Sequence, residues 1–163
     1  MADASLTYDK GEMRSIIRAF KAMDQEAVDQ AKKVSSELAE FLKQKVIAAA
    51  KLHPTSPKAA GRIAEGARVA KSSKIGELSF GFASQKYSGG ATTQKNEGRE
   101  GGIGVLAGYE FGANKYKQFP RRSRSYGVGS AGYFIYPTLR ENQPELIQRW
   151  EEALNRILKE WDK

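Results

Sequence analysis

The sequence predicts an α+β fold in which a long N-terminal helix and a C-terminal amphipathic helix pack on a small antiparallel sheet. Three observations predict it. An apolar stripe of helical period covers 12–52, a second one covers 143–162, and the residues of 74–137 between them include short strand-like runs. Two long, basic, glycine-containing loops interrupt that middle region. With 163 residues, the chain is expected to form a single domain.

The first helix is expected to be unusually long. No Pro and no Gly interrupts the chain between Gly11 and Pro54. About 40 helical residues would make a rod of roughly 60 Å, longer than a compact domain of this mass is wide. The helix therefore either breaks, near Asp24, or projects and packs on another subunit. The polar residues 1–10 ahead of it are expected to form a flexible arm.

His53 and Pro54 end this helix, since a residue before proline avoids helical geometry. Residues 58–70 suit either a short helix or the approach to a strand. Leu78, Phe80 and Phe82 alternate with small or polar residues, which predicts a strand. A long loop follows at 84–102.

The second half predicts two more strands and a helix. An apolar run at 103–111 is expected to be a strand, and 113–131 a second loop. The aromatic run 133–137 predicts a strand that Pro137 ends. Asn142 is a candidate cap, with Pro144 near the first position of the closing helix.

The composition excludes several kinds of chemical site. The chain has no Cys and one His, so it holds no disulfide, no thiolate metal site and no multi-His site within one chain. No apolar run has the length of a signal peptide or of a membrane span, so we expect a protein that is soluble and made in a cytoplasm. The net charge of +8 is concentrated in the middle of the chain, where it can attract phosphates or an acidic protein surface.

No catalytic set can be assembled from these residues. Residues 102–107 and 127–132 match the glycine pattern of a dinucleotide-binding loop, but neither segment is expected to have a strand before it and a helix after it. His53 is expected to cap helix carbonyls, and Glu110, between two aromatic residues, to pair with an arginine. We therefore expect no enzyme activity, no cofactor and no metal site.

The loop around Phe119 has two interpretations. It carries three arginines and two tyrosines, namely Arg121, Arg122, Arg124, Tyr116 and Tyr126. Phosphates could bind the arginines while bases stack on the rings, as on a nucleic-acid surface. Alternatively, a flexible basic loop becomes ordered against a partner protein.

Taken together, the motifs resemble one known family. The order is a long helix, His53-Pro, Ala60-Gly-Arg-Ile, a strand, Tyr109-Glu-Phe-Gly, Phe119-Pro-Arg, Tyr133-Phe-Ile-Tyr-Pro and a closing amphipathic helix. This order is similar to that of the neck, or tail-completion, proteins of long-tailed bacteriophages (siphophages). Two segments depart from the family pattern: Ala60-Gly-Arg-Ile replaces Thr-Gly-x-Leu, and Tyr133-Phe-Ile-Tyr-Pro replaces Pro-Phe-Leu-x-Pro.

The resemblance implies a structural virion protein at the head-to-tail interface, without catalytic activity, small-molecule substrate or membrane contact. It implies a ring of identical subunits assembled from the host cytoplasm into the virion neck, between a connector or stopper and a tail-terminator or tail-tube protein, with passing contact to phage DNA. A tail terminator, another tail-joining ring protein and a basic nucleic-acid-binding domain are the alternatives.

The two long loops are expected to make the contacts between subunits or with partners, and Glu110 and Arg140 to pair within the fold or across subunits. The predicted contact residues are Tyr109, Glu110, Phe111, Phe119, Arg121, Arg122, Arg124, Tyr126, Tyr133 and Arg140.

Overall fold

Two long helices and a two-stranded antiparallel sheet form the framework, which confirms the α+β prediction. The structure, a computed structural model, describes residues 14–15, 18–19, 22, 24–70, 75–87, 91–93, 104–112, 119 and 132–161. The predicted arm 1–10 and most of the loop 113–131 lie outside these residues. In chain order the elements are α1 (Gln25–Lys51), α2 (Pro57–Glu65), β1 (Ala67–Val69), β2 (Phe80–Phe82), α3 (Val105–Phe111) and α4 (Tyr136–Trp161).

Asp24 interrupts the predicted first helix. Its backbone is extended, with φ −67° and ψ 167°, and its side chain accepts a hydrogen bond from the Ala27 N–H at 3.0 Å. The prediction of one continuous helix over 12–52 was therefore wrong, and the alternative of a break near Asp24 is confirmed. The short side chain of an aspartate accepts hydrogen bonds from nearby backbone N–H groups, and this favours the start of a helix at the next residue. Before the break, the described residues are helical: Arg14, Ser15, Arg18, Ala19 and Ala22.

The two long helices pack antiparallel, and this packing supplies most of the core. A cluster of buried side chains joins α1 from Ala27 to Leu42 with α4 from Leu146 to Ile157, and its largest members include Leu38, Leu42, Trp150 and Leu154. At the other end, a second cluster joins the last turns of α1 to the residues just before α4. Its buried members are Val46, Ala50, Ala60, Ala64 and Phe134.

The segment after Pro54 contains both predicted alternatives in succession, since α2 leads through Gly66 directly into β1. Pro57 occupies the first turn of α2, where a missing N–H breaks no helical hydrogen bond. The strand β1 pairs antiparallel with β2, with Arg68 opposite Gly81. The predicted strand around Phe80 is confirmed, although it is only three residues long.

The strand predicted at 103–111 was wrong, because the structure has the helix α3 there. A short apolar run without alternation fits a buried strand and a buried helix equally well, and only packing decides. In the loop 84–102, the described residues include an antiparallel bridge between Lys86 and Thr92.

The strand predicted at 133–137 was also wrong. Tyr133 to Ile135 form a bend, and α4 begins at Tyr136, seven residues before the predicted start at 143. Pro137 lies in the first turn, where it costs no hydrogen bond. Pro144 lies inside the helix, and Asn142 is a helix residue whose side chain donates to the Thr138 carbonyl at 2.8 Å.

Replacing Asp24 with Ala should lower the free energy of unfolding by about 1 kcal/mol, because the Ala27 N–H loses its acceptor. Asp24→Asn retains a capping oxygen and is the matched control. Urea denaturation followed by circular dichroism measures both variants. Equal stability of D24A and D24N would contradict the assignment of Asp24 as the cap.

Candidate functional site

Three segments that are distant in sequence meet at one end of the helix pair, and we name this place the junction. They are His53 after α1, Tyr109 to Phe111 at the end of α3, and Tyr133 to Tyr136 at the start of α4. Each segment belongs to one of the motifs on which the family resemblance depends. The junction is therefore the candidate functional site.

Glu110 lies at the centre of the junction, with 1% of its surface exposed. Its Oε2 accepts hydrogen bonds from the N–H groups of Phe134 and Ile135, each at 3.0 Å. Its Oε1 accepts one from the Tyr136 N–H at 2.9 Å. The first N–H groups of a helix have no acceptor within the helix. Glu110, from a different helix, thus caps the start of α4.

Opposing effects act on the pKa of this carboxyl group. Burial raises its pKa above the ordinary value of about 4.5, and this is the largest effect. Hydrogen bonds from the backbone of Tyr133 to Tyr136 oppose it and lower the pKa. The positive end of the α4 dipole also favours the charged form. In the described part of the chain its partners are backbone N–H groups, whereas the sequence predicted an arginine.

His53 forms the second polar connection of the junction, and 3% of its surface is exposed. Its Nδ1 accepts hydrogen bonds from the Ser56 N–H at 3.0 Å and the Thr55 N–H at 3.3 Å. An accepting Nδ1 carries no proton, so Nε2 carries it and donates to the Tyr109 carbonyl at 2.9 Å. The sequence predicted that His53 caps carbonyls at a helix end; the carbonyl that it contacts belongs to α3.

Aromatic rings enclose these polar groups. The His53 ring centroid lies 4.7 Å from that of Tyr133, and Tyr109 meets the buried Phe119 edge-on at 4.9 Å. Phe111 packs on Tyr136 at 5.4 Å and keeps 44% of its surface exposed. The junction is thus mainly buried, with Phe111 as its exposed apolar side chain.

The structure brings together half of the predicted contact residues, namely Tyr109, Glu110, Phe111, Phe119 and Tyr133. Arg140 is exposed on α4. Four predicted residues lie outside the described part of the chain: Arg121, Arg122, Arg124 and Tyr126.

Sequence reasoning missed two residues of the junction. Gly132 has a φ of +106°, and a Cβ there would collide with the Glu110 carboxylate, so glycine is required for both reasons. Phe134 is fully buried among Val46, Ala50 and Ala64. Their shared signal in the sequence is a glycine placed directly before an aromatic run.

The junction is suited to holding chain segments together. Glu110 and His53 both direct their hydrogen bonds to backbone groups of other segments. Within the described residues, no group of three or more His, Asp or Glu could hold a metal ion.

Comparisons with protein-family models, with characterised proteins and with solved structures each found no match. Over the part of the chain that the structure describes, the helices lack the combination of length and hydropathy that crossing a bilayer requires.

Two helix glycines should respond oppositely to alanine. A Cβ on Gly108 would lie 2.7 Å from the Phe119 ring, so Gly108→Ala should lower the free energy of unfolding by about 1–3 kcal/mol. In Gly61→Ala, the Cβ meets Lys51 Cγ at an ordinary 3.4 Å, and the better helix propensity should stabilise by roughly 0.5–1 kcal/mol. Thermal unfolding of both variants tests this difference in sign; destabilisation of equal size in both would contradict it.

Glu110→Gln should lower the free energy of unfolding by about 1–3 kcal/mol, because an amide nitrogen cannot accept from the N–H groups of α4. The size of this effect should depend on pH. With a folded pKa above the unfolded value, the folded protein holds the proton more tightly than the unfolded chain. The stability that Glu110 contributes is then largest below about pH 4.5 and falls as pH rises through the folded pKa.

The measurement is urea denaturation of the wild type and E110Q between acid and neutral pH. The difference between the two proteins isolates Glu110, since other titrating groups are common to both. A difference that grows as pH rises would show that the backbone hydrogen bonds outweigh burial.

Proposed function

We propose that the protein is a structural component of the bacteriophage neck, where a ring of identical copies joins the capsid connector to the tail. One observation supports this most directly. The His53-Pro, Tyr109-Glu-Phe-Gly and Tyr133-Phe-Ile-Tyr-Pro segments carry the resemblance to neck proteins, and they meet at one buried junction. Short motifs that coincide by chance have no reason to converge in space.

The kind of contact at the junction supports a role in assembly. Its polar side chains hold backbone groups of distant segments, and Gly112 and Gly132, which flank the predicted loop 113–131 in the sequence, both lie at the junction. The backbone at both ends of that loop is therefore fixed in position. A loop fixed at its base is suited to contacting a neighbouring subunit or the next ring.

In this proposal the partners are further copies of the chain, a connector or stopper protein on the head side, and a tail-terminator or tail-tube protein on the tail side. The protein is made in the host cytoplasm and resides in the virion. In this proposal the charged segment 113–131 contacts protein, with passing contact to phage DNA in the lumen.

The test is electron microscopy of lysates from a phage whose copy of this gene carries an early stop codon. We expect filled heads and finished tails that lie separate, because each half assembles and only the joint is missing. Supplying the wild-type gene from a plasmid in the host is the control and should restore joined, infectious particles.

Other outcomes would contradict the neck assignment. Tails of irregular length would instead assign the protein to tail termination. Normal infectious particles, or a block before DNA packaging, would remove the neck function, and the basic loop would then be tested as a nucleic-acid site.

A further inference from the structure

Arg62 on α2 is held in one orientation, although none of the acidic residues that the structure describes forms an ion pair with it. Its Nε donates to Gln85 Oε1 at 3.0 Å, and Gln85 Nε2 donates back to the Arg62 carbonyl at 3.0 Å. The guanidinium carbon lies 4.9 Å from the centre of the Tyr87 ring. Within the described residues, its two terminal nitrogens make no hydrogen bond or ion pair. An arginine fixed in this way presents its remaining donors with little loss of conformational entropy.

The neighbouring ribbon of β1 and β2 has an open outer face on the same side as Gln85. A Cβ on Gly66 would lie 2.6 Å from Gln85 Nε2, so the side chain of Gln85 covers the face to which position 66 points. Gly66 is the C-cap of α2, and its carbonyl accepts a hydrogen bond from the Ala83 N–H next to the paired strands. The same Cβ would lie 3.7 Å from the Cβ of Ala83, so Ala83 points to that face. Side chains alternate along a strand, so Gly81 and its partner Arg68 point there as well. Opposite Arg68, a Cβ on Gly81 would meet nothing within 4 Å. We name Arg62, Arg68, Gly81 and Gln85 the ribbon face.

The charge of this region is positive and largely uncompensated. Residues 57–93 contain six Lys or Arg and two Glu. One of those acids, Glu65, pairs with Lys51 at 3.1 Å. Lys58, one helical turn before Arg62, is exposed, as are Arg68 and Lys86, and none of the three forms an ion pair within the described part of the chain. The surrounding potential therefore attracts anions.

The polarity of the face distinguishes between two kinds of anionic partner. Protein interfaces have an apolar centre with a polar rim, whereas interfaces with nucleic acids are polar, wet and positively charged. Among the described residues, the exposed large apolar side chains are on α3 and α4 and at the end of α1: Leu52, Phe111, Leu158 and Trp161. The ribbon face has none of them, which favours a phosphate backbone.

We propose that the ribbon face binds the phosphate backbone of duplex DNA, with the terminal nitrogens of Arg62 and the guanidinium of Arg68 on phosphate oxygens. Guanidinium groups form paired hydrogen bonds with phosphate. The open space at Gly81 lets the backbone approach. Gln85 is a positioning residue, since it holds Arg62 and carries no charge. This inference does not rest on the neck function, and it concerns residues outside the 113–131 loop.

The experiment measures fluorescence anisotropy of a short labelled DNA duplex of random sequence with the full chain, over a range of salt concentrations. Arg62→Ala combined with Arg68→Ala should weaken binding about tenfold at low salt. The slope of log affinity against log salt should decrease by about 2, since each phosphate contact contributes about 0.9. Circular dichroism of each variant verifies folding.

Two matched variants distinguish DNA binding at the ribbon face from a general effect of the positive net charge. Arg156→Ala with Lys159→Ala removes the same charge from the exposed surface of α4, and we expect little change in DNA affinity. Gln85→Ala leaves the net charge unchanged and should still weaken binding severalfold, because Arg62 loses its fixed orientation. Equal losses in the two double variants would overturn the proposal.

Three further results would overturn it. The wild type could fail to bind the duplex; it could bind polyglutamate or inorganic phosphate in place of DNA; or all DNA binding could disappear on replacing Arg121, Arg122 and Arg124 with Ala while R62A/R68A binds normally. The polyglutamate result would assign the ribbon face to an acidic protein partner.

Discussion

The capping of α4 by Glu110 is the interaction on which the arrangement of the chain depends. The segment before Tyr136 contains no Ser, Thr, Asp or Asn next to the helix start, so no local side chain can accept the first N–H groups of α4. A buried carboxylate from α3 accepts the N–H of Tyr136, the first helix residue, and the N–H groups of the two residues before it. Leaving buried donors without acceptors is costly, so the start of α4 and the end of α3 cannot separate without a large loss of stability. Two elements that are remote in sequence are thereby fixed to each other.

A second connection at the junction joins the end of α3 to the residues between α1 and α2. The carbonyl of Tyr109, the residue beside Glu110, accepts a hydrogen bond from His53 Nε2. His53 Nδ1 in turn accepts a hydrogen bond from the backbone just before α2. An isolated helix of seven residues has little stability in water. α3 therefore owes its helical form to these contacts and to Phe119 packed over Gly108. The ends of α1 and α3 and the starts of α2 and α4 are positioned as one unit.

This dependence explains which features the sequence predicts. The long stripes of α1 and α4 and the alternation around Phe80 are local patterns, and both helices and the strand are present. Asp24 also signals its role locally, as a capping residue. The segment 103–111 contains an apolar run without a decisive period, and its helical form depends on residues outside the run, namely His53, Phe119 and the segment 134–136. The sequence motifs identify the tyrosines, Glu110 and Phe119 as candidate site residues. They do not predict that Glu110 is a hydrogen-bond acceptor, because its donors are backbone N–H groups, which every residue except proline has.

Charge shows the same division between local and nonlocal information. On α1 and α4, bases lie one turn from acids, as in Lys33 with Glu37 and Arg149 with Glu145, so much of their charge is locally compensated. Arg62 differs because its partners, Gln85 and Tyr87, are more than 20 residues away and neutral. α2 begins beside His53 at the junction and ends at Glu65, and the following Gly66 lies against the Gln85 side chain. At 1.5 Å per residue, its nine residues separate the two places by about 14 Å. That separation lets the ribbon face change its charge without disturbing the capping of α4, so the two surfaces can evolve, and be tested, independently.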